Sequence, residues 1–141
     1  MFADAREVPE GSVLETDLCI VGAGAAGITL AREFANTRVR VMILESGGLE
    51  LTPQAMDLNH GESVGLPYFP LAAARLRSFG GTTNHWGGVC RPFRADDFEY
   101  QQWVPYSRWS ISKTDIDPYY ERAAAICDVV SWRAYSDASS P

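Results

Sequence analysis

The sequence predicts an α/β fold in which two short parallel strands, joined by one helix, begin a doubly wound sheet. Three observations predict it. A β-rich apolar run, 18–21, is followed by a glycine turn and an alanine-rich segment, 25–35, and then by a second β-rich run, 39–44. After Glu45 no further alternation of strands and helices is visible. Two strands alone do not form a stable parallel sheet, so we expect an incomplete sheet with a long loop-rich extension.

The periodicity of each segment justifies its assignment. The run 18–21 is apolar without alternation, which is typical of a strand covered on both faces. In the segment that follows, Ala26, Leu30 and Phe34 recur every four residues and therefore share one helix face. The run 39–44 is rich in β-branched residues, and a serine–glycine–glycine sequence stops it. A compact βαβ unit over 16–45 is therefore predicted.

The middle of the chain is predicted to be less regular. Glycines and prolines break up 51–70, which we expect to be mostly loop. A short helix is predicted over 71–77. The glycine pairs within 78–93 resist regular structure, so an extended loop is expected there.

The last third contains a predicted helical segment, 113–130. Asp117 suits a helix N-cap and Pro118 suits the first turn of a helix that runs to about Val129. The small polar residues 135–141 predict a frayed tail. The whole chain, 1–141, is thus interpreted as one part of one domain.

Composition excludes several classes of function. The 141 residues carry a formal net charge of −6, which disfavours nucleic acid and anionic membranes as partners because both require a basic face. No basic and apolar leader is visible, and no apolar run is long enough to span a bilayer. The three cysteines, Cys19, Cys90 and Cys127, lack metal-ligand spacing and are interpreted as reduced thiols. We expect a soluble, cytoplasmic protein with no metal site.

A G-x-G-x-x-G pattern lies directly after the first strand and opens the helix; its residues are Gly22, Ala23, Gly24, Ala25, Ala26 and Gly27. Gly22 permits a tight turn, Gly24 lets the backbone approach a pyrophosphate, and Gly27 allows close packing of helix on strand. The amides of Gly24, Ala25 and Ala26 at the positive end of the helix dipole suit phosphate oxygens. The motif predicts a Rossmann-like dinucleotide site.

Glu45 closes the second strand about 20 residues after the turn, where an acidic residue is expected in such sites. Its carboxylate can accept hydrogen bonds from ribose hydroxyls and disfavours a 2′-phosphate. A structural glycine turn beside a surface glutamate is the plain alternative. The glycines alone do not decide between FAD and NAD.

A second glycine-rich loop follows Arg77; its central residues are Gly80, Gly81, Thr82, Thr83, Asn84, His85, Trp86, Gly87 and Gly88. Paired glycines at both ends let the backbone approach a flat or bulky group. The threonines and the asparagine supply hydrogen-bonding groups between them. A functional loop over 77–93 is therefore predicted.

The chain resembles the amino-terminal portion of the glucose-methanol-choline (GMC) oxidoreductase family. Three segments carry the resemblance: 17–27, 44–48 and 77–83. The segments 109–112 and 117–122 are also similar to sugar-oxidising bacterial members. The resemblance implies an FAD cofactor, with the 77–93 loop against the flavin ring. Arg77 would face the phosphates or form a structural ion pair.

His85 and Trp86 depart from the general family pattern and resemble the pyranose oxidase branch. In that branch a histidine at this position is bonded covalently to the flavin 8α-methyl group, so His85 is the candidate attachment residue. Such a bond raises the flavin reduction potential. A non-covalent contact with the flavin and a purely structural histidine are the two alternatives. Gly87 stands where that branch has a threonine, so no side-chain contact to flavin N5 is expected there.

The resemblance implies oxidation of a CH–OH group of an alcohol or sugar, with hydride transfer to the flavin. The family's catalytic base is a histidine near the carboxyl end of a much longer chain, and neither His60 nor His85 matches it. We therefore expect no catalytic residue in this chain and no turnover by this chain alone. A complementary carboxyl-terminal segment is a candidate partner. The alternatives are a non-catalytic fragment with weak or no flavin binding, and an NAD-binding module.

Four further side chains are interpreted as structural. Cys90 is expected to be a small buried apolar group with no second cysteine nearby. Trp103, Trp109 and Trp132 are expected to pack in a core or between domains, with lining of a sugar site as the alternative.

Overall fold

The computed structural model describes residues 1–131, so Trp132 and the expected tail 135–141 lie outside the described residues. The fold is mixed α/β and contains a small two-stranded parallel sheet. Two compact units, Met1–Gly87 and Gly88–Pro141, divide the chain. The first unit carries the sheet, the first glycine motif and the second glycine motif up to Gly87.

The predicted strand 18–21 is confirmed as β1, Leu18–Val21, and the second strand is β2, Val41–Leu44. They pair in parallel with Ile20 opposite Ile43. The second strand starts later than predicted because Arg40 is held by Asp17: the Asp17 carboxylate accepts hydrogen bonds from the Arg40 amide at 2.8 Å and from Arg40 Nε at 3.3 Å.

The expectation that β1 is covered on both faces is wrong. Only Ile20 is buried, whereas Cys19 is exposed and Val21 is 84% exposed. The physical reason is that the sheet within residues 1–131 has two strands and a single helix against it. An apolar run without alternation therefore indicates a strand with apolar side chains on both faces. Within the described residues, the face of β1 that carries Cys19 and Val21 is not covered.

The helix between the strands is α1, Ala25–Arg32, three residues shorter than predicted. It ends early because the following residues form tighter turns, with amides bonded three residues back from Glu33 to Ala35. Of the predicted stripe, Ala26 and Leu30 are exposed, and Phe34 is partly buried but lies beyond the end of α1. Within the helix, Gly27 and Ile28 are partly buried instead.

The stretch 51–70, expected to be mostly loop, contains helix α2, Pro53–Asp57. Thr52 caps it by accepting a hydrogen bond from the Ala55 amide at 3.3 Å, and Pro53 occupies the first turn. The next helix, α3, is Leu71–Ala74, shorter than the predicted 71–77.

The predicted extended loop 78–93 contains a short 3₁₀ helix, Gly81–His85. Three other 3₁₀ helices of the described residues lie outside this loop, at Ala5–Glu7, Ala95–Phe98 and Asp117–Tyr119. The prediction of an irregular backbone is thus correct for most of the loop. It is wrong over 81–85, where the side chains of Thr83 and Asn84 bond to backbone carbonyls of the loop and close the 3₁₀ turn.

The predicted helical segment of the second unit is divided into three pieces. These are α4, Lys113–Ile116, a 3₁₀ turn, Asp117–Tyr119, and α5, Tyr120–Cys127. Asp117 is not the N-cap, because Ser112 and Asp115 form the capping box and the Asp117 carboxylate pairs with the Lys113 ammonium at 2.6 Å.

Few apolar side chains of the described residues are buried; they are Ile20, Ala23, Ala55, Phe98 and Ala124. Trp103 is 79% exposed and Trp109 is 57% exposed, so neither packs in a core within the described residues, and packing between domains stays a prediction. Among the described helices, none combines the length and the apolar character needed to cross a membrane.

Candidate functional site

The first glycine turn has the backbone that its sequence predicts. Gly22 has φ +102°, a conformation that favours glycine, and its amide donates to the Leu44 carbonyl at 2.7 Å. A Cβ on Gly27 would lie 2.0 Å from the carbonyl oxygen of Gly22. Glycine at position 27 is therefore required for α1 to pack this close to the end of β1.

The amino end of α1 presents two unpaired donors. Within residues 1–131 no acceptor is bonded to the amides of Ala26 or Gly27. A Cβ on Gly24 would meet no atom within 4 Å, so the space beside it is open. Unpaired amides and the positive end of a helix dipole favour negative charge, so the geometry is compatible with the predicted phosphate contact.

Glu45 lies at the end of β2 beside this turn, where its carboxylate is partly buried. Its Oε2 accepts the Ala23 amide at 2.8 Å, and its Oε1 accepts the Gly47 amide at 3.0 Å and the Ser46 hydroxyl at 3.2 Å. Burial by itself raises the pKa of this carboxyl, but the donors outweigh burial and lower the pKa below its ordinary value. Glu45 is therefore ionised at neutral pH.

The second glycine loop begins against the first glycine turn. The Gly80 amide donates to the Ala23 carbonyl at 2.8 Å, and Gly24 and Gly80 form a parallel β-bridge. A Cβ on Gly81 would approach the Gly24 Cα at 3.3 Å. Two motifs that are far apart in the sequence thus meet at the amino end of α1.

The turn after β2 packs against the same loop. A Cβ on Gly47 would lie 2.0 Å from the carbonyl oxygen of Arg77, and the Phe79 amide donates to the Gly48 carbonyl at 2.9 Å. The segment 77–81 therefore lies between the turns that follow β1 and β2. All three sequence segments that carry the family resemblance come together at this place.

Arg77 contacts neutral oxygens in the described part of the chain. Its guanidinium donates to Asn59 Oδ1 at 2.8 Å, to Ser46 Oγ at 2.8 Å and to the Leu58 carbonyl at 3.3 Å. Asn59 is buried and donates in turn to the Arg75 carbonyl at 3.0 Å. The ion pair, one of the two expectations for Arg77, is thus replaced by hydrogen bonds to neutral groups. Sequence reasoning did not predict Ser46 or Asn59 as partners of Arg77.

The polar side chains of the second loop bond to its own backbone. The Thr82 hydroxyl accepts the Leu76 amide at 3.2 Å, the Thr83 hydroxyl donates to the Gly80 carbonyl, and Asn84 Nδ2 donates to the Phe79 carbonyl at 2.8 Å. These bonds close the 3₁₀ turn that the glycine content did not predict. They hold the loop in shape.

The outer part of the loop lies in solvent. His85, Trp86, Gly87 and Gly88 are all exposed, and a Cβ on either glycine would meet nothing within 4 Å. Within residues 1–131 the His85 imidazole has no hydrogen-bond or ion-pair partner. His60, by contrast, is exposed with its Nδ1 3.0 Å from the Asp57 carbonyl oxygen, as suits a surface residue.

Cys90 is not isolated, which corrects the sequence interpretation. It is partly buried, and both burial and the neighbouring Cys127 thiol raise the pKa of its thiol. All three cysteines are free thiols, as expected. In the described part of the chain no group of histidine, cysteine and acidic residues could hold a metal ion.

Comparison of the chain with protein-family models, with curated proteins and with solved structures finds no match. Its function is therefore inferred from its own contacts. Those contacts define a β1–α1–β2 unit with unpaired amides at the helix start, an ionised carboxylate at the end of β2, and a second glycine loop beside both.

Proposed function

We propose that this chain is the FAD-binding part of a GMC-type flavin-dependent oxidoreductase that acts on CH–OH groups of alcohols or sugars, and that its β1–α1–β2 unit is Rossmann-like. One observation carries the proposal. The segment 77–81 is bonded to the turn after β1 through Gly80 and to the turn after β2 through Phe79. A glycine turn alone is common, but this arrangement joins the candidate phosphate, ribose and flavin contacts in one place.

The donor set fits the ADP half of such a cofactor. The unpaired amides of Ala26 and Gly27 suit the pyrophosphate oxygens, and the open space at Gly24 allows the close approach that a pyrophosphate requires. The ionised Glu45 suits ribose hydroxyls, which donate hydrogen bonds, and repels a 2′-phosphate. The site is therefore suited to an unphosphorylated ribose.

The second glycine loop favours FAD over NAD. Its first half is held against the phosphate turn, and its second half, with His85 and Trp86, is exposed and free to contact a flavin ring. FAD when bound supplies a hydride acceptor. The residues of this chain hold and orient it, and the accessible His85 imidazole is the proposed point of covalent attachment.

A non-catalytic fragment with weak or no flavin binding is the second candidate. The same turn and carboxylate would serve NAD, so an NAD-binding module is the third. Val21 is 84% exposed and Leu44 is 48% exposed at the ends of the two strands. These apolar side chains suit a complementary carboxyl-terminal segment, which we propose as a partner needed for tight binding.

Binding of FAD, ADP and NAD to the purified chain, measured by calorimetry, tests the proposal. We expect FAD to bind at least tenfold more tightly than NAD. Glu45→Gln should weaken both FAD and ADP, whereas Glu62→Gln, which removes the same charge from an exposed loop, should leave both unchanged. Equal affinity for FAD and NAD would favour the NAD-binding module, and no binding of either would favour the fragment.

Covalent attachment has its own test. Chain that has been incubated with FAD and then denatured should retain flavin fluorescence on a gel, and His85→Ala should abolish it. Complete loss of fluorescence from the unsubstituted chain would exclude the covalent bond and leave a non-covalent flavin contact or a purely structural role for His85.

A further inference from the structure

We propose that Arg77 is a positioning residue that acts through the Ser46 hydroxyl on Glu45 and so determines how strongly the site recognises the adenosine ribose 2′-hydroxyl. The inference rests on the proposed function, because it assigns a role within the same nucleotide site. It departs from the sequence interpretation, in which Arg77 would face the phosphates or an acid.

The direction of each hydrogen bond in this chain of contacts is determined by chemistry. Arg77 Nη1 can only donate, so the Ser46 oxygen, 2.8 Å away, must accept. A hydroxyl has one hydrogen, and Glu45 Oε1 lies 3.2 Å from the Ser46 oxygen. The ionised Glu45 accepts only, so the Ser46 hydrogen is directed to it. Arg77 thereby polarises and orients the donor that Glu45 receives.

Donors on both oxygens then hold the Glu45 carboxylate. Oε1 accepts from Ser46 and Gly47, and Oε2 accepts from Ala23 at 2.8 Å. An ionised carboxylate has about four lone-pair positions, so a position on Oε2 is still available to a ribose hydroxyl. Loss of the Ser46 bond would free the carboxylate to rotate about its last torsion and weaken that contact.

Arg77 itself is held at several points. Its Nε and Nη2 donate to Asn59 and Leu58, and its carbonyl lies against Gly47, where no Cβ would fit. A lysine offers one ammonium in place of this planar fork and cannot reach the three acceptors together. Arg77→Lys should therefore keep the positive charge and disturb the orientation of Ser46.

The test compares the affinities of ADP and 2′-deoxy-ADP by calorimetry, because their ratio reports the 2′-hydroxyl contact alone. We expect the unsubstituted chain to prefer ADP about tenfold. In Ser46→Ala and Arg77→Lys this preference should fall by threefold or more. Matched controls at exposed positions, Ser12→Ala and Arg38→Lys, should retain it.

A residue with a merely structural role would weaken both nucleotides equally and leave the ratio unchanged. The double variant Ser46→Ala/Glu45→Gln should have the same affinity ratio as Glu45→Gln alone, because Ser46 and Arg77 act on the ribose contact only through the Glu45 carboxylate. A ratio that is retained in Ser46→Ala and Arg77→Lys overturns the inference and leaves the proposed function standing. If the unsubstituted chain binds neither FAD nor ADP, both are overturned.

Discussion

The two glycine motifs of this chain differ in what determines their shape. In the first turn, Gly27 leaves no room for a Cβ, which would lie 2.0 Å from a backbone oxygen. At the outer end of the second loop, a Cβ on Gly87 would meet nothing within 4 Å. The first turn is shaped by contacts within the chain, whereas the glycines at the outer end of the second loop have no such reason within residues 1–131.

This difference shows that a glycine can be required by packing or be left open for a ligand. Gly24 belongs to the second kind although it lies in the first turn, because the space beside it is empty. Substitution by alanine separates the two kinds, since the added methyl group tests packing at one position and access at another.

Gly27→Ala should destabilise the fold most. The added methyl would collide with the Gly22 carbonyl and force α1 away from β1, at a cost that outweighs the helix propensity of alanine, so we expect a net loss of about 2 kcal/mol or more. Urea unfolding measures it. Gly87→Ala should change stability by less than about 0.5 kcal/mol; equal losses at the two positions would contradict the comparison.

Gly24→Ala should separate binding from stability. We expect urea unfolding to change by less than about 0.5 kcal/mol, because the methyl enters open space. Affinity for FAD and ADP should fall about tenfold or more, about 1.4 kcal/mol, because the methyl stands where the pyrophosphate approaches. Unchanged affinity would show that no phosphate binds at this turn.

Thr83→Ala tests whether the inner half of the second loop is held by its own side chains. Loss of the hydroxyl that bonds to the Gly80 carbonyl should reduce the free energy of unfolding by about 1 kcal/mol. Thr83→Ser, which keeps the hydroxyl, should restore most of it. Identical stability of the alanine and serine variants would show that this bond does not hold the turn.

The smallest effect is a pH dependence from Glu45. Its pKa in the folded chain lies below its ordinary value of 4.5, so its contribution to stability is fully present above pH 4.5. That contribution is lost as the pH falls through the lowered value. We expect the free energy of unfolding, measured with urea, to fall between pH 6 and pH 3 in both proteins, because other carboxylates titrate in both. The fall should be smaller in Glu45→Gln, because this variant lacks the Glu45 contribution.

Local features were predicted well and distant contacts were not. The strand 18–21 and the start of α1 follow from adjacent residues, as does the close packing at Gly27. The capping of α2 by Thr52 was equally local and was overlooked among neighbouring glycines and prolines. The early end of α1 depends on a small energy difference between α-helical and 3₁₀ hydrogen bonds. The spacing of apolar residues carries no information about that difference.

By itself, the sequence determined the β1–α1–β2 unit and the position of Glu45 near the glycine turn, because strand, turn and helix preferences act between neighbouring residues. Only the tertiary structure decided that the segment 77–81 lies between the two turns and that Arg77 contacts Ser46 and Asn59. Those contacts join residues that are distant along the chain, and hydrogen bonds between common polar residues leave no periodic or local trace in a sequence.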